Sequence, residues 1–285
     1  MTKGKMLLYF LILILILTSG LLYSRYVATT GLVVKEYKIA NKKITDTYKG
    51  LKIVHISDIH YGGTILENDL KNIVNKINIL KADIVFFTGD LFETDLVNDS
   101  IIREIIKELS RVEAKIGKYA ISGNHDYDYK KEFNQILEES GFINLNDTYD
   151  TIYNKNNESI LVAGVSTNSY GALKINDKTK PTMEYLQSEE NKAIYNILLI
   201  HEPDFIDNIE YDKFDLILAG HSHNGQVRVP FIGAIYTPYG SKKYYDEHYK
   251  LKDTELYISS GLGTSLLKLR LFNRPSFNFY RISNK

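Results

Sequence analysis

The apolar residues of this chain follow two patterns: one unbroken run near the start, then short bursts that alternate with helical stripes. The run extends from Met6 to Tyr23, and no charge follows it until Arg25. As a helix, these 18 residues cover about 27 Å, close to the hydrocarbon thickness of a bilayer. Lys3 and Lys5 precede the run and favour a cytoplasmic N-terminus, although Arg25, Lys35 and Lys38 keep the asymmetry small. A terminal segment with no polar face does not suit a buried core helix. Its rival reading is a cleaved signal peptide, because Thr18, Ser19 and Gly20 have the small side chains of a cleavage site. The reading taken forward is a retained anchor over residues 1–25, single-pass in the cell membrane, with the body of the protein extracytoplasmic.

Residues 31–39 alternate in part and predict a strand, so 26–50 read as a lead-in strand and linker before one domain over 51–285. Residues 51–57 predict a buried strand, and Leu70, Ile73, Val74, Ile77 and Leu80 then recur at helical spacing. Residues 84–87 predict the next strand. A second stripe follows at Ile101, Ile102, Ile105, Ile106 and Leu109, with Asn98, Asp99 and Ser100 available as caps. A third strand over 119–121 and a short helix around Phe133, Ile136 and Leu137 complete a βαβαβα order, which implies a mainly parallel sheet. The second half is richer in strands, predicted at 160–165, 197–200, 216–219, 226–229 and 256–259, with 172–192 as loop or short helix. The expected fold class is α/β, with two packed sheets flanked by helices.

The polar residues fall where these strands stop. The strand ends carry Ser57-Asp58-Ile59-His60, Gly89-Asp90-Leu91-Phe92-Glu93, Gly123-Asn124-His125-Asp126, His201-Glu202 and Gly220-His221-Ser222-His223. In parallel α/β sheets, functional groups gather beyond the carboxyl ends of the strands. Five of the seven histidines lie in these segments, and only His55 and His248 lie outside. Asp58 with His60, and His221 with His223, can each face one cation if the backbone bends at the strand end. Carboxylate and imidazole ligands suit zinc, manganese or iron. A carboxylate such as Asp90 can bridge two cations, a pair that suits phosphoryl hydrolysis, where both attacking and leaving oxygens need stabilising.

Together these motifs resemble those of the calcineurin-like metallophosphoesterases, in particular a bacterial membrane-associated branch. The family pattern is D-x-H, G-D-x-x-D, G-N-H-[DE], a later histidine and G-H-x-H, and here it runs in order from residue 51 to about 265. The resemblance implies a four-layer α/β/β/α sandwich. It also implies two divalent metal ions, one held by Asp58, His60, Asp90 and His223, the other by Asp90, Asn124, His201 and His221. A bridging water, acidified by the metals, would attack phosphorus in line. His125 would sit by the leaving group or a phosphate oxygen, and Asp126 would orient it. The chain departs from the pattern at Glu93, in place of the usual second aspartate, at Asn224, and at Arg274-Pro275-Ser276.

Composition narrows the field. Thirty-five basic residues balance thirty-five acidic ones, which disfavours nucleic acid as a partner. Cysteine is absent, which removes disulfides, thiolate ligands and cysteine nucleophiles. The expected activity is hydrolysis of a phosphodiester, pyrophosphate or phosphomonoester, with a lipid-linked or envelope substrate suggested by the anchor. The alternative is a catalytically silent metal-binding scaffold of the same fold, against which the intact His125 argues. His55 reads as packed in its strand, Gly261, Gly263 and Thr264 as a turn, and the tyrosine- and lysine-rich stretch 236–250 as a surface hairpin.

Overall fold

The computed structural model describes residues 2–93, 97–166 and 175–284. Helix α1 (Lys3–Leu22) buries no side chain and widens into a π-helical turn at Tyr23–Val27. With that turn it is long and apolar enough to cross a bilayer. Next come β1 (Val33–Ala40), β2 (Lys52–Ile56), α2 (Glu67–Ile79), β3 (Ile84–Phe87), α3 (Asp99–Leu109), β4 (Gly117–Ala120), α4 (Lys130–Ser140) and β5 (Ile143–Asn144). The second half holds β6 (Thr148–Tyr153), β7 (Ser159–Val165), α5 (Ile175–Gln187), β8 (Ala193–Ile200) and β9 (Leu216–Ala219). It continues with β10 (Arg228–Val229), β11 (Gly233–Ala234), β12 (His248–Leu251), β13 (Thr254–Ile258) and β14 (Ser276–Ser283).

Two six-stranded sheets result, in the orders β1-β14-β2-β3-β4-β5 and β12-β13-β9-β8-β7-β6. The central strands β2, β3, β4 and β5 are parallel, as are β7, β8, β9 and β13. Alternation along each strand decides the layering. Ile84 and Phe86 of β3 face the second sheet, where they meet Ile197 and Leu199 of β8. Val85 and Phe87 point the other way, onto Leu70 and Ile73 of α2 and Ile105 of α3. On the far side, Leu198 and Ile200 pack with Ile175, Phe205 and Ile206. Each such fully buried side chain contributes roughly 1.5–3 kcal/mol of transfer free energy. The chain thus forms the expected four-layer α/β/β/α sandwich.

Local signals explain several boundaries. Asn98 caps α3, its side-chain oxygen accepting from the N–H groups of Ser100 and Ile101. Two expectations change, and one is met. Residues 226–229 make only the short arm β10, because Asn224 and Gln226 are both in the left-handed region and end any longer extended run. Of 172–192, read as loop or short helix, the 13 residues of α5 are indeed helical, while 172–174 lie outside the described residues. The stretch 236–250 is an irregular loop leading into β12, with Tyr244 buried in the outer core rather than at a surface hairpin. The strand β14 was not anticipated. It lies between β1 and β2, and the lead-in strand β1 is thereby an edge strand of the first sheet.

His55 on β2 is packed, with Nε2 2.8 Å from the Thr88 hydroxyl. Burial pushes its pKa down to about 3, whereas an unfolded histidine titrates near 6.5. Protonation therefore favours the unfolded chain, and the stability held above pH 6.5 is lost as the pH falls towards 3. Between pH 7 and pH 5 this amounts to roughly 2 kcal/mol. Denaturant unfolding at both pH values should show wild type losing about that much more than His55→Gln. Equal losses would contradict the assignment.

Candidate metal centre

Three of the five strand ends that carry candidate residues, those after β2, β3 and β9, turn through residues with positive φ. Asp58, His60, Asp90, His221 and His223 have φ of 52°, 47°, 60°, 66° and 47°. Such backbone is uncommon for residues other than glycine, and costs of order 1 kcal/mol or more at each site. It supplies the bend that an i, i+2 pair needs to turn both side chains to one side.

The surrounding glycines make this geometry attainable. A Cβ on Gly123 would lie 2.2 Å from Asp90 Oδ1 and 2.4 Å from its amide nitrogen. A Cβ on Gly220 would lie 2.0 Å from Ser57 Oγ and 2.6 Å from Asp58 Oδ2. Gly123 seats against the backbone and carboxylate of Asp90, and Gly220 against the side chains of Ser57 and Asp58, so neither position leaves room for a side chain.

The strand ends converge. His60 Nε2 lies 2.9 Å from His223 Nε2, and His223 Nε2 lies 3.3 Å from Asp58 Oδ1. His201 Nε2 lies 3.1 Å from Asp90 Oδ2, whose carboxylate is also 3.7 Å from His60 Nε2. Three groups result with ligand atoms close enough to share an ion: Asp58, His60 and His223; Asp90, His201 and His221; and His60, Asp90 and His125. His201 Nδ1 meets the Thr88 carbonyl at 2.6 Å, which fixes Nε2 as the nitrogen facing Asp90. His221 Nε2 meets the Tyr239 carbonyl at 2.6 Å and leaves Nδ1 for the site. Asn124 Oδ1 is buried without a hydrogen-bond partner.

Electrostatics fit a cation. Two buried carboxylates stand amid imidazole nitrogens whose lone pairs aim at a common centre, an arrangement that needs positive charge between them. Burial pushes His221 down to about 3 and His223 well below its ordinary value, so both are neutral imidazoles, the ligating form. Burial opposes charge on His201 and Asp90 alike. Their mutual attraction outweighs it, holding His201 well above and Asp90 well below the ordinary values. The donor set of carboxylate and imidazole, without thiolate, suits divalent first-row metals.

His125 stands at the opening, about one-third exposed. Its Nδ1 lies 3.3 Å from Glu93 Oε2, and its Nε2 is 3.4 Å from Ser265 Oγ. The same Glu93 oxygen is 2.6 Å from His60 Nδ1. The carboxylate that reaches His125 is therefore Glu93, and not Asp126 as the sequence led us to expect. Asp126 is fully buried and accepts from the backbone N–H groups of Asp90, Leu91 and Gly123 at 2.8–2.9 Å. It clamps the loops that carry Asp90 and Asn124. Burial, and then the neighbouring Asp90 charge, raise its pKa to about 7.

Two further residues were not foreseen. Arg270 is fully buried, and its Nη2 donates to the carbonyls of Ser260, Gly261 and Gly263 at 2.8, 3.1 and 2.6 Å. It thereby holds the turn that packs against Asp58 and His223. Asn273 Nδ2 donates to the His223 carbonyl. An arginine set between Leu269 and Leu271 was the available signal, since a charge inside an apolar stretch is costly unless bonded.

Comparison with known proteins agrees with this geometry. The family model for calcineurin-like phosphoesterases matches residues 51–225. The chain is 29% identical over 268 residues to the uncharacterised metallophosphoesterase YkuE of Bacillus subtilis, covering 93% of this chain and 91% of that one. It is 27% identical over 263 residues to the phosphodiesterase YaeI of Escherichia coli, covering 90% and 91%. A zebrafish (Danio rerio) transmembrane protein with a metallophosphoesterase domain is 26% identical over 92% of this chain, which spans 60% of it. TT1561 of Thermus thermophilus, at 15% identity and a TM-score of 0.51 over 75% of this chain and 90% of its own, shares the fold.

The clamp and the orienting carboxylate should separate experimentally. Asp126→Ala strands three buried N–H groups and should cost several kcal/mol, at about 1–3 kcal/mol per unsatisfied group, with metal content falling alongside melting temperature. Glu93→Ala should keep the melting temperature near wild type while turnover of a nitrophenyl phosphodiester drops. Swapped outcomes would reverse the two roles.

Proposed function

The chain belongs to the calcineurin-like phosphoesterases and is a hydrolase of phosphoric esters, and from this we propose a membrane-anchored, dinuclear phosphodiesterase. The observation that carries the proposal is Asp90, placed between one carboxylate–imidazole cluster and the next. Asp58, His60, Asp90 and His223 would hold one divalent cation, and Asp90, Asn124, His201 and His221 the other. Such a pair, when bound, supplies Lewis acidity that activates water and neutralises phosphate oxygens. The protein's own part begins with fixed ligand tautomers: Thr88 and Tyr239 carbonyls hold His201 and His221, and Glu93 holds His60.

His125 Nε2 stands at the opening, where it can donate a proton to the departing alkoxide. Glu93 at Nδ1 supports the imidazolium that this requires. Preference for a diester is supported by the name of the Escherichia coli relative. Anchoring is supported by α1, whose apolar surface is wholly exposed, and by the transmembrane zebrafish relative. Lys3 and Lys5 ahead of α1 favour an extracytoplasmic domain.

The full chain, purified in detergent and supplied with manganese, should hydrolyse bis(nitrophenyl) phosphate. Asp90→Ala should lose both metal and activity. His125→Ala should keep its metal and lose turnover by about 10²–10⁴-fold, the usual worth of a positioned proton donor. Unchanged turnover in both variants would refute the mechanism, and metal uptake without any hydrolysis in wild type would favour a silent scaffold.

A further inference from the structure

Large apolar side chains are exposed on this protein in two different ways. Ile79, Ile116, Ile143 and Tyr153 are scattered singly, which is ordinary for a soluble surface. Phe231, Ile232, Ile235, Leu266, Leu267 and Phe272 instead crowd onto two neighbouring loops, with Phe231 wholly exposed and Leu266 77% exposed. The loops are one unit. Arg228 N–H donates to the Leu271 carbonyl, Leu271 N–H donates to the Gln226 carbonyl, and Gln226 Nε2 donates to the carbonyls of Ser265 and Leu267. Phe231 and Phe272 line the same surface cleft.

This unit is tied to the end of the apolar helix. Arg270 N–H donates to the Ser24 carbonyl at 2.9 Å, two residues beyond the last residue of α1. Tyr23 and Ala28 share a cleft of about 670 Å³ with Phe272 and Arg274. The apolar loops therefore emerge beside the point where α1 enters the domain.

Charge is distributed to match. The chain as a whole is neutral, yet residues 22–35, 226–245 and 260–275 contain no aspartate or glutamate. They do contain Arg25, Arg228, Lys242, Lys268 and Arg274 among other basic residues. Arg228 is paired with Asp246, but among the described residues Arg25, Lys268 and Arg274 have no carboxylate partner within ion-pair distance. Aromatic and aliphatic tips among uncompensated lysine and arginine are the composition of a surface that beds into an anionic lipid interface.

We infer that the loops carrying Phe231 and Leu266 insert into the headgroup region of an anionic bilayer beside α1. This seating holds the opening of the metal centre against the membrane surface. Both loops border that opening: Ser265 approaches His125, and Tyr239, itself 69% exposed, offers its carbonyl to His221. Substrate phosphate would then arrive from the interface rather than from bulk water. The inference rests on the reading that α1 spans the bilayer, and the test separates the two.

The chain has no cysteine, so single substitutions to cysteine give uniquely placed fluorophores on the full-length protein. Phe231→Cys, Leu266→Cys, Ile12→Cys within α1 and Ile116→Cys at the opposite end of the strands would each carry an environment-sensitive dye. Each would be reconstituted into phosphatidylcholine–phosphatidylglycerol vesicles with and without nitroxide-labelled lipid, and bis(nitrophenyl) phosphate hydrolysis would confirm folding. The labels at 231, 266 and 12 should lose more than half their emission to the nitroxide, and the label at 116 should lose none. Quenching at 12 but not at 231 and 266 would overturn this inference and leave the anchor standing. No quenching at 12 would overturn the anchor and the inference with it. Quenching at 116 equal to that at 231 would mean unspecific adsorption and would equally refute the seating. Lys268→Glu should weaken quenching at 266, and an unchanged signal would remove the anionic lipid from the proposal.

Discussion

The arrangement depends on holding buried carboxylates and imidazoles at contact distance around one centre. Every member of such a cluster loses hydration, and only pairs such as His201 with Asp90 recover it through mutual attraction. The protein holds the cluster by confinement. Five of the residues that face the centre are in left-handed backbone, and the loops bearing them are packed so closely that Gly123 and Gly220 have no space for a methyl group. Asp126 clamps one set of loops from beneath, and Arg270 gathers the carbonyls of another. Strain and buried charge are both accepted here so that side chains from five strand ends point the same way.

Much of this was legible in the sequence because strand ends carry their own signature. A buried β-strand reads as a run of apolar residues, and the first polar residues after it mark where the carboxyl end opens. Asp58, Asp90, His201 and His221 each fall within three residues of the end of such a run, so their meeting could be expected from the sequence. The layer order came with the family resemblance, since a strand such as Ile84–Phe87 is apolar on both faces and only the structure shows Ile84 and Val85 facing opposite cores.

What was not legible has a physical reason in each case. Asp126 follows His125 directly whereas Glu93 lies far ahead of it in the chain, and adjacency in sequence does not say which carboxylate reaches the ring. The answer depends on the turn at Asn124–Tyr129, which carries Asp126 back under Gly123. Arg270 is separated by many residues from everything it binds in the site except its own turn, so only its setting among leucines betrayed it. The strand β14 pairs with residues more than two hundred positions away, and its mixture of serine, asparagine, arginine and aromatics hid the period. The loops at 226–239 and 264–272 look like ordinary connections until their shared exposure is seen.

The placement of β14 bears on how the protein is assembled. The first sheet has its last-made strand in its interior, hydrogen-bonded to β1 on one side and β2 on the other. During synthesis the parallel strands β2 to β5 can form early, but the flank of β2 stays an open edge until residues 276–283 leave the ribosome. Long-range closure of this kind is slow. A nascent chain would thus wait with one sheet unfinished, leaving a window in which chaperone capture, proteolysis and strand exchange between neighbours compete with completion.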